Sequence, residues 1–291
     1  MKRILIAGKN SYIGTAFIQY AEEHYPEELL AEAFSLRDIS WQERDFAGYD
    51  AVFHVAGIAH ADTGHATEEE KREYYRVNRD LVLETARKAR EAGVGQFVFM
   101  SSMIIYGKTE HVTEDTIPEP ENFYGDSKWQ ADKGVRELAD GKFQVAVLRA
   151  PMIYGKGSKG NYPVLAKMAK RLPVFPRVEN QRSMLYIENL CELLCCIIRE
   201  GHGGIFFPQN ETAIGTSQLV EMIARTCGHR IWITPLLAPL AAIGKRLPGK
   251  VGALCRKAFG CSCYELDMSR AEWNYRIVDW QESVRRTESS E

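Results

Sequence analysis

The sequence of 291 residues lacks a long apolar segment, a strong charge of either sign and any cysteine before Cys191. Its most hydrophobic stretch, residues 231–244, contains two prolines and is shorter than the ~18 residues that a membrane-spanning helix needs. The apolar run at residues 4–7 is too short for a signal peptide. We therefore expect neither a membrane span nor a secretion signal, and the predicted location is the cytoplasm.

The charges nearly balance, with 37 basic and 39 acidic residues and a net charge of −2. This balance gives no electrostatic reason to expect nucleic acid or an anionic membrane as a partner. Apolar residues make up 45% of the chain and charged residues 26%, which are ordinary values for a globular protein. The chain is long enough to bury the core of one large α/β domain or of a domain with a smaller lobe.

Cysteine usage argues against a disulfide framework, because the seven cysteines are odd in number and follow no framework spacing. Reduced thiols in a cytoplasmic protein are the expected state. Cys255, Cys261 and Cys263 are close enough in sequence to be three zinc ligands, but no fourth ligand is obvious nearby. No metal is therefore expected.

Short apolar runs alternate with longer segments of helical periodicity along the first half of the chain. That alternation is typical of an α/β fold with a doubly wound parallel sheet, the Rossmann arrangement. From Lys156 the composition shifts to glycine, proline and basic residues, which predicts a smaller C-terminal substrate-binding lobe. We assign residues 1–155 to the sheet domain, with a return at 184–210, and residues 156–183 and 211–291 to the lobe. The predicted strands cover residues 3–7, 30–35, 50–55, 97–100, 144–148 and 204–207.

The first predicted strand leads into a glycine-containing turn, Gly8-Lys9-Asn10-Ser11-Tyr12-Ile13-Gly14, and then into a helix. A strand, a glycine turn and a helix in this order aim free backbone N–H groups at the pyrophosphate of a dinucleotide. Gly8 can form the tight turn and Gly14 allows close packing of the helix. Ser11 stands where a third glycine is usual. The turn predicts a dinucleotide-binding site.

The end of the second strand is where a dinucleotide fold meets the adenosine ribose. An acidic residue there accepts hydrogen bonds from a free 2′-OH, whereas an arginine favours a 2′-phosphate. Ser35 and Arg37 indicate NADP, while Asp38 leaves NAD open. A solvated turn without a ligand is the third interpretation.

Two further positions are unusual for their predicted elements. Ala56 and Gly57 follow the third strand, and their small side chains would let a cofactor lie against the backbone. Asn78 falls within a helix predicted for residues 69–92, where asparagine is unfavourable. The Asn78 side chain therefore either faces water or binds another group.

The strand at residues 97–100 ends at Ser101-Ser102, and Tyr124 and Lys128 follow at the start of a helix. Residues four apart on a helix share one face, and a hydroxyl at the end of a parallel strand lies where such sheets bind ligands. Ser102, Tyr124 and Lys128 can therefore meet at one reacting carbon as a proton-transfer site. With 13 tyrosines in the chain, about one Tyr/Lys pair at this spacing is expected by chance. An exposed pair on a surface helix is the competing interpretation.

Several further motifs follow the glycine turn in a fixed order: His54-Val55-Ala56-Gly57, Val77-Asn78, Ser101-Ser102, Tyr106-Gly107, Tyr124-Gly125-Asp126-Ser127-Lys128, Arg149-Ala150-Pro151, Tyr154-Gly155, Arg182 and Asn189-Leu190. Together they resemble the extended short-chain dehydrogenase/reductase family, in its branch of nucleotide-sugar epimerases, dehydratases and 4-keto-reductases. The resemblance covers nearly the whole chain and is strongest over residues 53–189. The chain departs from the family at Ser11 and in the short stretch 35–50, where an additional strand and an adenine contact are usual.

The resemblance implies an enzyme that uses NAD or NADP and acts on a nucleotide sugar. Tyr124 corresponds to the family's catalytic base, Lys128 to its lysine and Ser102 to its serine or threonine. Ser102, Asn161 and Arg182 are the expected substrate contacts, with Arg182 at the diphosphate. A homodimer is also expected. The expected cofactor contacts are Gly8, Asn10, Ser11, Tyr12, Ile13, Gly14, Ser35, Arg37, Ala56, Gly57, Asn78, Tyr124, Lys128 and Met152.

For Tyr124 to act as a base, its pKa must fall from about 10 to about 7, which is worth about 4 kcal/mol. The Lys128 ammonium and the positive nicotinamide are expected to favour the phenolate, and Ser102 is expected to stabilise charge at the same oxygen. The family's 4,6-dehydratases place acidic residues directly after this serine or threonine. Met103 and Ile104 stand there instead, which disfavours dehydration.

Two reactions at C4 of a nucleoside diphosphate hexose, with UDP as the expected nucleotide, remain open. One is epimerisation through a transient 4-keto sugar, and the other is reduction of a stable 4-keto sugar. A non-catalytic dinucleotide sensor or assembly subunit on the same fold is the alternative from another class, since a fold alone does not fix function.

Overall fold

Parallel strands form the centre of the computed structural model, which describes residues 1–59, 66–247, 249–269 and 272–289. The strands in these ranges are β1 (Lys2–Ala7), β2 (Leu29–Phe34), β3 (Ala51–His54), β4 (Gln96–Ser102), β5 (His111–Val112), β6 (Gln144–Ala150), β7 (Met152–Tyr154), β8 (Val174–Pro176), β9 (Met184–Tyr186), β10 (Gly204–Phe206), β11 (Trp232–Thr234) and β12 (Cys263–Tyr264). The helices are α1 (Tyr12–His24), α2 (Glu68–Tyr75), α3 (Leu81–Glu91), α4 (Phe123–Arg136), α5 (Asn161–Arg171), α6 (Ile187–Glu200), α7 (Thr216–Thr226), α8 (Ala238–Arg246), α9 (Gly249–Phe259) and α10 (Trp280–Glu288).

The six-stranded central sheet has the order β2-β1-β3-β4-β6-β10, and every neighbouring pair is parallel. The chain runs outward from β1 to β2 and then crosses β1 to continue at β3. The direction of winding therefore reverses between β1 and β3, which is the switch point where open α/β sheets bind ligands. The predicted doubly wound parallel sheet is confirmed. The edge strand β10 lies within residues 184–210.

The strands are buried on both faces of the sheet. In β1, Ile4 and Ile6 face one core together with Phe53 of β3, whereas Leu5 faces the other core together with Val52. Successive side chains of a strand point to opposite faces, so an uninterrupted apolar run fits a sheet that is covered on both sides. Helices α1 and α6 cover the first face, and α3 and α4 cover the second.

Two regions differ in detail from the simple alternation of strands and helices. A π-helical turn, Arg76–Asp80, interrupts the helix predicted for residues 69–92 and joins α2 to α3. Residues 35–50 contain a 3₁₀ turn, Ile39–Gln42, and no strand, as their short length predicts. Trp41 and Phe46 in that stretch pack into the second core.

Three short parallel pairings lie outside the central sheet. The pairings of β7 with β9 and of β5 with β12 join the C-terminal part to residues 1–155, whereas β8 pairs with β11 within the C-terminal part. All seven cysteines are free thiols, as predicted. Among the residues that the structure describes, no helix combines the length and hydropathy needed to cross a bilayer. The same residues contain no cluster of three or more His, Cys, Asp or Glu side chains that could hold a metal ion.

Candidate active site

Strand β4 and helix α4 bring the three predicted catalytic side chains to one end of the sheet. Ser102 is the last residue of β4, while Tyr124 and Lys128 lie in the first two turns of α4. The Asn122 side chain accepts a hydrogen bond from the Gly125 N–H at 3.0 Å and so fixes where α4 begins. The Ser102 hydroxyl lies near enough to the Tyr124 phenol to lower its pKa through a hydrogen bond.

Tyr124 lies in an environment that favours the neutral phenol. Burial raises the pKa of Tyr124 to about 12; Tyr74 adds to the increase, and the hydrogen bond with Ser102 opposes it. The rings of Tyr74 and Tyr124 meet edge to face, with centroids 6.0 Å apart. The expected lowering of this pKa by Lys128 together with the positive nicotinamide stays a prediction. At neutral pH the side chain is a proton donor.

Lys128 is buried, with 7% of its surface exposed. Its Nζ donates a hydrogen bond to the Met100 carbonyl at 3.1 Å and lies 5.0 Å from the centroid of the Phe99 ring. Burial lowers the pKa of Lys128 to about 8, because an ammonium group loses its hydration there. The lysine therefore changes charge near neutral pH rather than far above it.

Asn78 is fully buried in the π-helical turn and holds the segment that follows β3. Its Oδ1 accepts a hydrogen bond from the Ile58 N–H at 2.9 Å, and its Nδ2 donates to the Ile58 carbonyl at 3.0 Å. A Cβ atom added at Gly57 would lie 3.1 Å from Asn78 Oδ1 and 3.2 Å from Lys128 Nζ. Glycine at position 57 therefore makes room for two polar side chains of the protein, a reason that the sequence did not supply.

The glycine turn after β1 lies at the switch point, as its sequence position predicts. Gly8 has a φ of 145°, and an added Cβ would lie 3.0 Å from the Ala56 backbone nitrogen. Asn10 adopts a left-handed φ of 65°, a conformation that asparagine tolerates better than most residues. The turn thus passes close to the end of β3, where side chains larger than hydrogen do not fit at Gly8.

Ser11 acts as the N-cap of α1, because its Oγ accepts a hydrogen bond from the Gly14 N–H at 3.1 Å. It therefore uses one of the N–H groups that a glycine would leave available, while those of Tyr12 and Ile13 have no acceptor within the helix. The Tyr12 hydroxyl is buried and has no hydrogen-bond partner among the described residues. Open N–H groups at a helix N-terminus fit a bound dinucleotide.

The tip of β2 presents one exposed charged group that does not cap the turn. Asp38 is the N-cap of the 3₁₀ turn, since its carboxylate accepts a hydrogen bond from the Ser40 N–H at 3.2 Å. Ser35 Oγ accepts a hydrogen bond from the Arg37 N–H at 3.1 Å, and the Arg37 side chain is exposed. The arrangement favours Arg37 over Asp38 as the residue that could meet a ribose or its phosphate.

The segment with Arg182 lies close to the end of β4. Arg182 pairs with Ile214 and with Ser262 through isolated backbone bridges. The Ser262 Oγ donates a hydrogen bond to the Met103 Sδ at 2.9 Å, and Met103 directly follows Ser102. Burial lowers the pKa of Arg182, as expected for a cation held away from water. A dehydrated guanidinium is stabilised by an anion such as a diphosphate.

The structure gives less support for the other two predicted contact residues, Met152 and Asn161. Met152 is the first residue of β7 and pairs with Met184 of β9, just beyond the end of β6. Asn161 is the first residue of α5. In the described part of the chain, no hydrogen bond joins Asn161 to Ser102, Tyr124 or Lys128.

A buried ion pair behind Ser102, Tyr124 and Lys128 was not predicted. Asp132 Oδ2 lies 2.9 Å from Arg149 Nε and accepts a hydrogen bond from Ser101 Oγ at 3.0 Å. Arg149 also donates to the Tyr106 hydroxyl at 2.7 Å. The pair holds α4 against β4 and β6. Helical spacing could have revealed Asp132, since it follows Lys128 by four residues on the same face of α4.

Comparison with known proteins gives consistent matches. The sequence model of the NAD dependent epimerase/dehydratase family matches residues 4–207. N-acetyl-alpha-D-glucosaminyl-diphospho-ditrans,octacis-undecaprenol 4-epimerase of Escherichia coli O157:H7 is 26% identical over 262 residues, covering 83% of this chain and 77% of the relative. UDP-glucose 4-epimerase of Vibrio cholerae is 27% identical over 261 residues, covering 81% and 79%. The dTDP-4-dehydrorhamnose reductase of Bacillus anthracis, solved in complex with NADP, shares the fold with a TM-score of 0.72, 21% identity and coverage of 99% and 98%.

Proposed function

This chain belongs to the NAD dependent epimerase/dehydratase family, and we propose that it epimerises C4 of a nucleoside diphosphate hexose, with UDP as the nucleotide. The observation that carries the proposal is the meeting of Ser102 and Tyr124 at the carboxyl end of β4, with Lys128 buried one turn away. Both curated relatives that cover about four fifths of the chain are named as 4-epimerases, which supports C4 as the reacting carbon.

We infer that NAD or NADP occupies the switch point between β1 and β3. The open N–H groups of α1 would hold the pyrophosphate, Arg37 and Ser35 would meet the adenosine ribose, and Lys128 would hold the nicotinamide ribose. When bound, the cofactor would supply the hydride chemistry, in which a hydride leaves C4 and is later returned to it. The proposed contacts also include Gly8, Asn10, Ser11, Tyr12, Ile13, Gly14, Ala56, Gly57, Asn78 and Met152.

Tyr124 is proposed to move the proton at the sugar O4. Ser102 shares the hydrogen bond at the phenol oxygen and lowers the Tyr124 pKa, so it eases formation of the phenolate that removes the O4 proton. Burial acts in the opposite sense and favours the phenol, which returns the proton when C4 is reduced again. Proton transfer by such a positioned group contributes a factor of about 10²–10⁴ to the rate.

Arg182 is proposed to bind the diphosphate of the substrate. Its segment reaches the end of β4 through Ser262 and Met103, and its planar guanidinium can form two parallel hydrogen bonds to phosphate oxygens. One relative is named for a sugar diphosphate on an undecaprenol lipid and the other for a UDP sugar. Since both substrates carry a diphosphate, the role of Arg182 is the same for either. Asn161 is kept as a proposed substrate contact that lacks this geometric support.

Reduction of a 4-keto sugar is the second candidate reaction. Two observations favour it: exposed Arg37 at the tip of β2 suits NADP, and the neutral phenol of Tyr124 is already a proton donor. Dehydration is disfavoured by Met103 and Ile104, neither of which can transfer a proton. A non-catalytic dinucleotide sensor or assembly subunit would have no need of a phenol and a buried lysine placed together.

The proposed reaction is tested by incubating the purified protein with NAD and either UDP-glucose or UDP-N-acetylglucosamine, and following the sugar protons by NMR. We expect the C4 epimer to accumulate without net change in nicotinamide absorbance. A protein that leaves both sugars unchanged, but oxidises NADPH when given a 4-keto nucleotide sugar, is a reductase. A protein that binds dinucleotide and turns over none of these sugars contradicts both reactions and supports the non-catalytic alternative.

A further inference from the structure

Large apolar side chains are exposed on and around α8. The exposed fractions are 63% for Trp232, 77% for Leu236, 63% for Leu240, 56% for Ile243 and 42% for Leu247. Leu240 and Ile243 are three residues apart, which places them on one side of α8, and Leu247 directly follows the helix. We call these five residues the α8 face.

The opposite side of α8 is packed against the protein. Ala241 is 7% exposed, and a Cβ added at Gly244 would lie 2.8 Å from Cys255 Sγ of α9. The helix therefore has its own buried side, and the α8 face is additional apolar surface. Contiguous exposed apolar patches of this kind mark sites where a protein meets a partner or a membrane.

The acidic and basic residues of the segment that contains the α8 face are of one sign. Residues 222–264 contain no acidic residue, although the chain has 39. Arg246 is exposed at the end of α8, and Arg256 Nη1 donates a hydrogen bond to the Leu247 carbonyl at 3.4 Å, so its guanidinium lies at the edge of the face. The net charge of −2 thus conceals a positive region. The basic residues of this stretch are Arg225, Arg230, Lys245, Arg246, Lys250, Arg256 and Lys257.

We propose that the α8 face docks on the surface of an anionic lipid bilayer. Helices with leucine and tryptophan on one side and basic residues around them lie in the membrane interface, where apolar side chains enter the acyl boundary and cations meet lipid phosphates. Tryptophan is enriched at this depth because its ring is apolar with one polar edge. A second copy of this chain is a poorer occupant, since two such faces carry the same charge and like charges across an interface are unfavourable.

Helix α9, which packs against α8, ends beside the segment that carries Arg182. The Asn180 side chain donates a hydrogen bond to the Gly260 carbonyl, directly after α9, at 3.1 Å, and Arg182 pairs with Ser262. Docking would therefore hold this side of the molecule near the bilayer, where sugars linked to lipid diphosphates are found. The inference goes beyond the proposed C4 reaction and does not depend on it.

The test is flotation of the purified full chain with vesicles of phosphatidylcholine alone and with vesicles containing about one third phosphatidylglycerol. We expect binding to the anionic vesicles that weakens as salt is raised. The double variant Leu236→Glu/Leu240→Glu should lose at least about tenfold in bound fraction, and Arg246→Glu should weaken binding to the anionic vesicles. The matched control is Ile117→Glu, which alters a side chain that is 75% exposed elsewhere on the surface and should bind like the wild type.

Failure of the wild type to bind anionic vesicles would overturn the proposal, and so would equal losses in the double variant and the Ile117→Glu control. A concentration-dependent dimer that the double variant loses, with no vesicle binding, would instead assign the face to a second copy. Circular dichroism and melting temperature establish that the variants fold; should the double variant not fold, Arg246→Glu decides the question. Because flotation needs no turnover, a negative result leaves the proposed C4 reaction standing.

Discussion

Two regions of the molecule depart from the usual separation of polar and apolar side chains, and they do so in opposite directions. Behind and beside the end of β4, polar groups are buried: Asn78 and Asp132 are fully buried and Lys128 is 7% exposed. On the α8 face, apolar groups are exposed, with Leu236 at 77%. Buried polar groups and exposed apolar patches are the informative exceptions in a folded protein. The buried polar groups near β4 indicate a site for chemistry, and the exposed apolar groups of the α8 face indicate a site for a partner.

The two regions also differ in how far a local change should spread. Asp132 is bound by Ser101, Arg136 and Arg149, so its loss leaves buried groups without partners. The side chains of the α8 face are largely in solvent, so their replacement leaves the rest of the fold unchanged. Substitutions near β4 should therefore alter stability and turnover, and substitutions on α8 should alter neither.

The largest expected effect on stability is that of Asp132→Ala. Removing one partner of a buried ion pair costs about 3–5 kcal/mol, because the remaining charge of Arg149 stays buried. Urea unfolding measures this loss. The matched control is Glu282→Ala, which breaks exposed ion pairs with Arg285 and Arg286 and should leave the midpoint nearly unchanged. Similar losses in the two variants would show that the β4 network is not a stabilising unit.

Lys128→Met should make the protein more stable and inactive. Burial lowers the pKa of Lys128 from 10.5 to about 8, so keeping it charged costs roughly 1–3 kcal/mol once its bond to Met100 is counted. The unfolded state binds more protons between these two pKa values, so the wild type gains stability as the pH rises from 8 to 10.5. The difference between variant and wild type should therefore shrink over that interval. A variant that is less stable at pH 7 would contradict this interpretation.

Arg37→Ala tests the cofactor preference at the tip of β2. Loss of charge-assisted hydrogen bonds to a 2′-phosphate should weaken NADPH binding about tenfold and leave NADH binding nearly unchanged. Titration of nicotinamide fluorescence measures both affinities. Equal changes for the two cofactors would mean that Arg37 is only a surface residue.

The smallest expected effect is that of Arg182→Lys. Lysine keeps the charge but not the planar fork, so the KM for the nucleotide sugar should rise roughly threefold to tenfold. The melting temperature and dinucleotide affinity should stay near wild type, and UDP should inhibit less strongly. A variant that unfolds, or whose inhibition by UDP is unchanged, would place the diphosphate elsewhere.

The parts of the site that follow from local patterns could be predicted from the sequence. The glycine turn after β1 and the positions of Ser102 and Tyr124 at adjoining element ends need only strand and helix periodicity. The contacts of Asn78 with Ile58 and of Asp132 with Arg149 could not be predicted, because they join residues 20 and 17 positions apart across different elements. The burial that raises the pKa of Tyr124 could not be predicted either, since it is set by tertiary packing.

The α8 face could likewise be predicted only in part. The absence of acidic residues over 222–264 is visible in the sequence. Which leucines are exposed depends on how α8 packs against α9, and that packing runs through Gly244 and Cys255. The sequence pattern alone predicts an ordinary amphipathic helix of the lobe in this stretch.

The most direct test of the proposed catalytic site is the turnover of Tyr124→Phe, measured together with its affinities for dinucleotide and UDP sugar. Phenylalanine keeps the ring and its contact with Tyr74, and it removes only the hydroxyl that is proposed to move the proton. We predict that turnover falls by at least a factor of about 100 while both affinities stay close to those of the wild type. Turnover near the wild-type rate would contradict the assignment of Tyr124 as the acid–base residue.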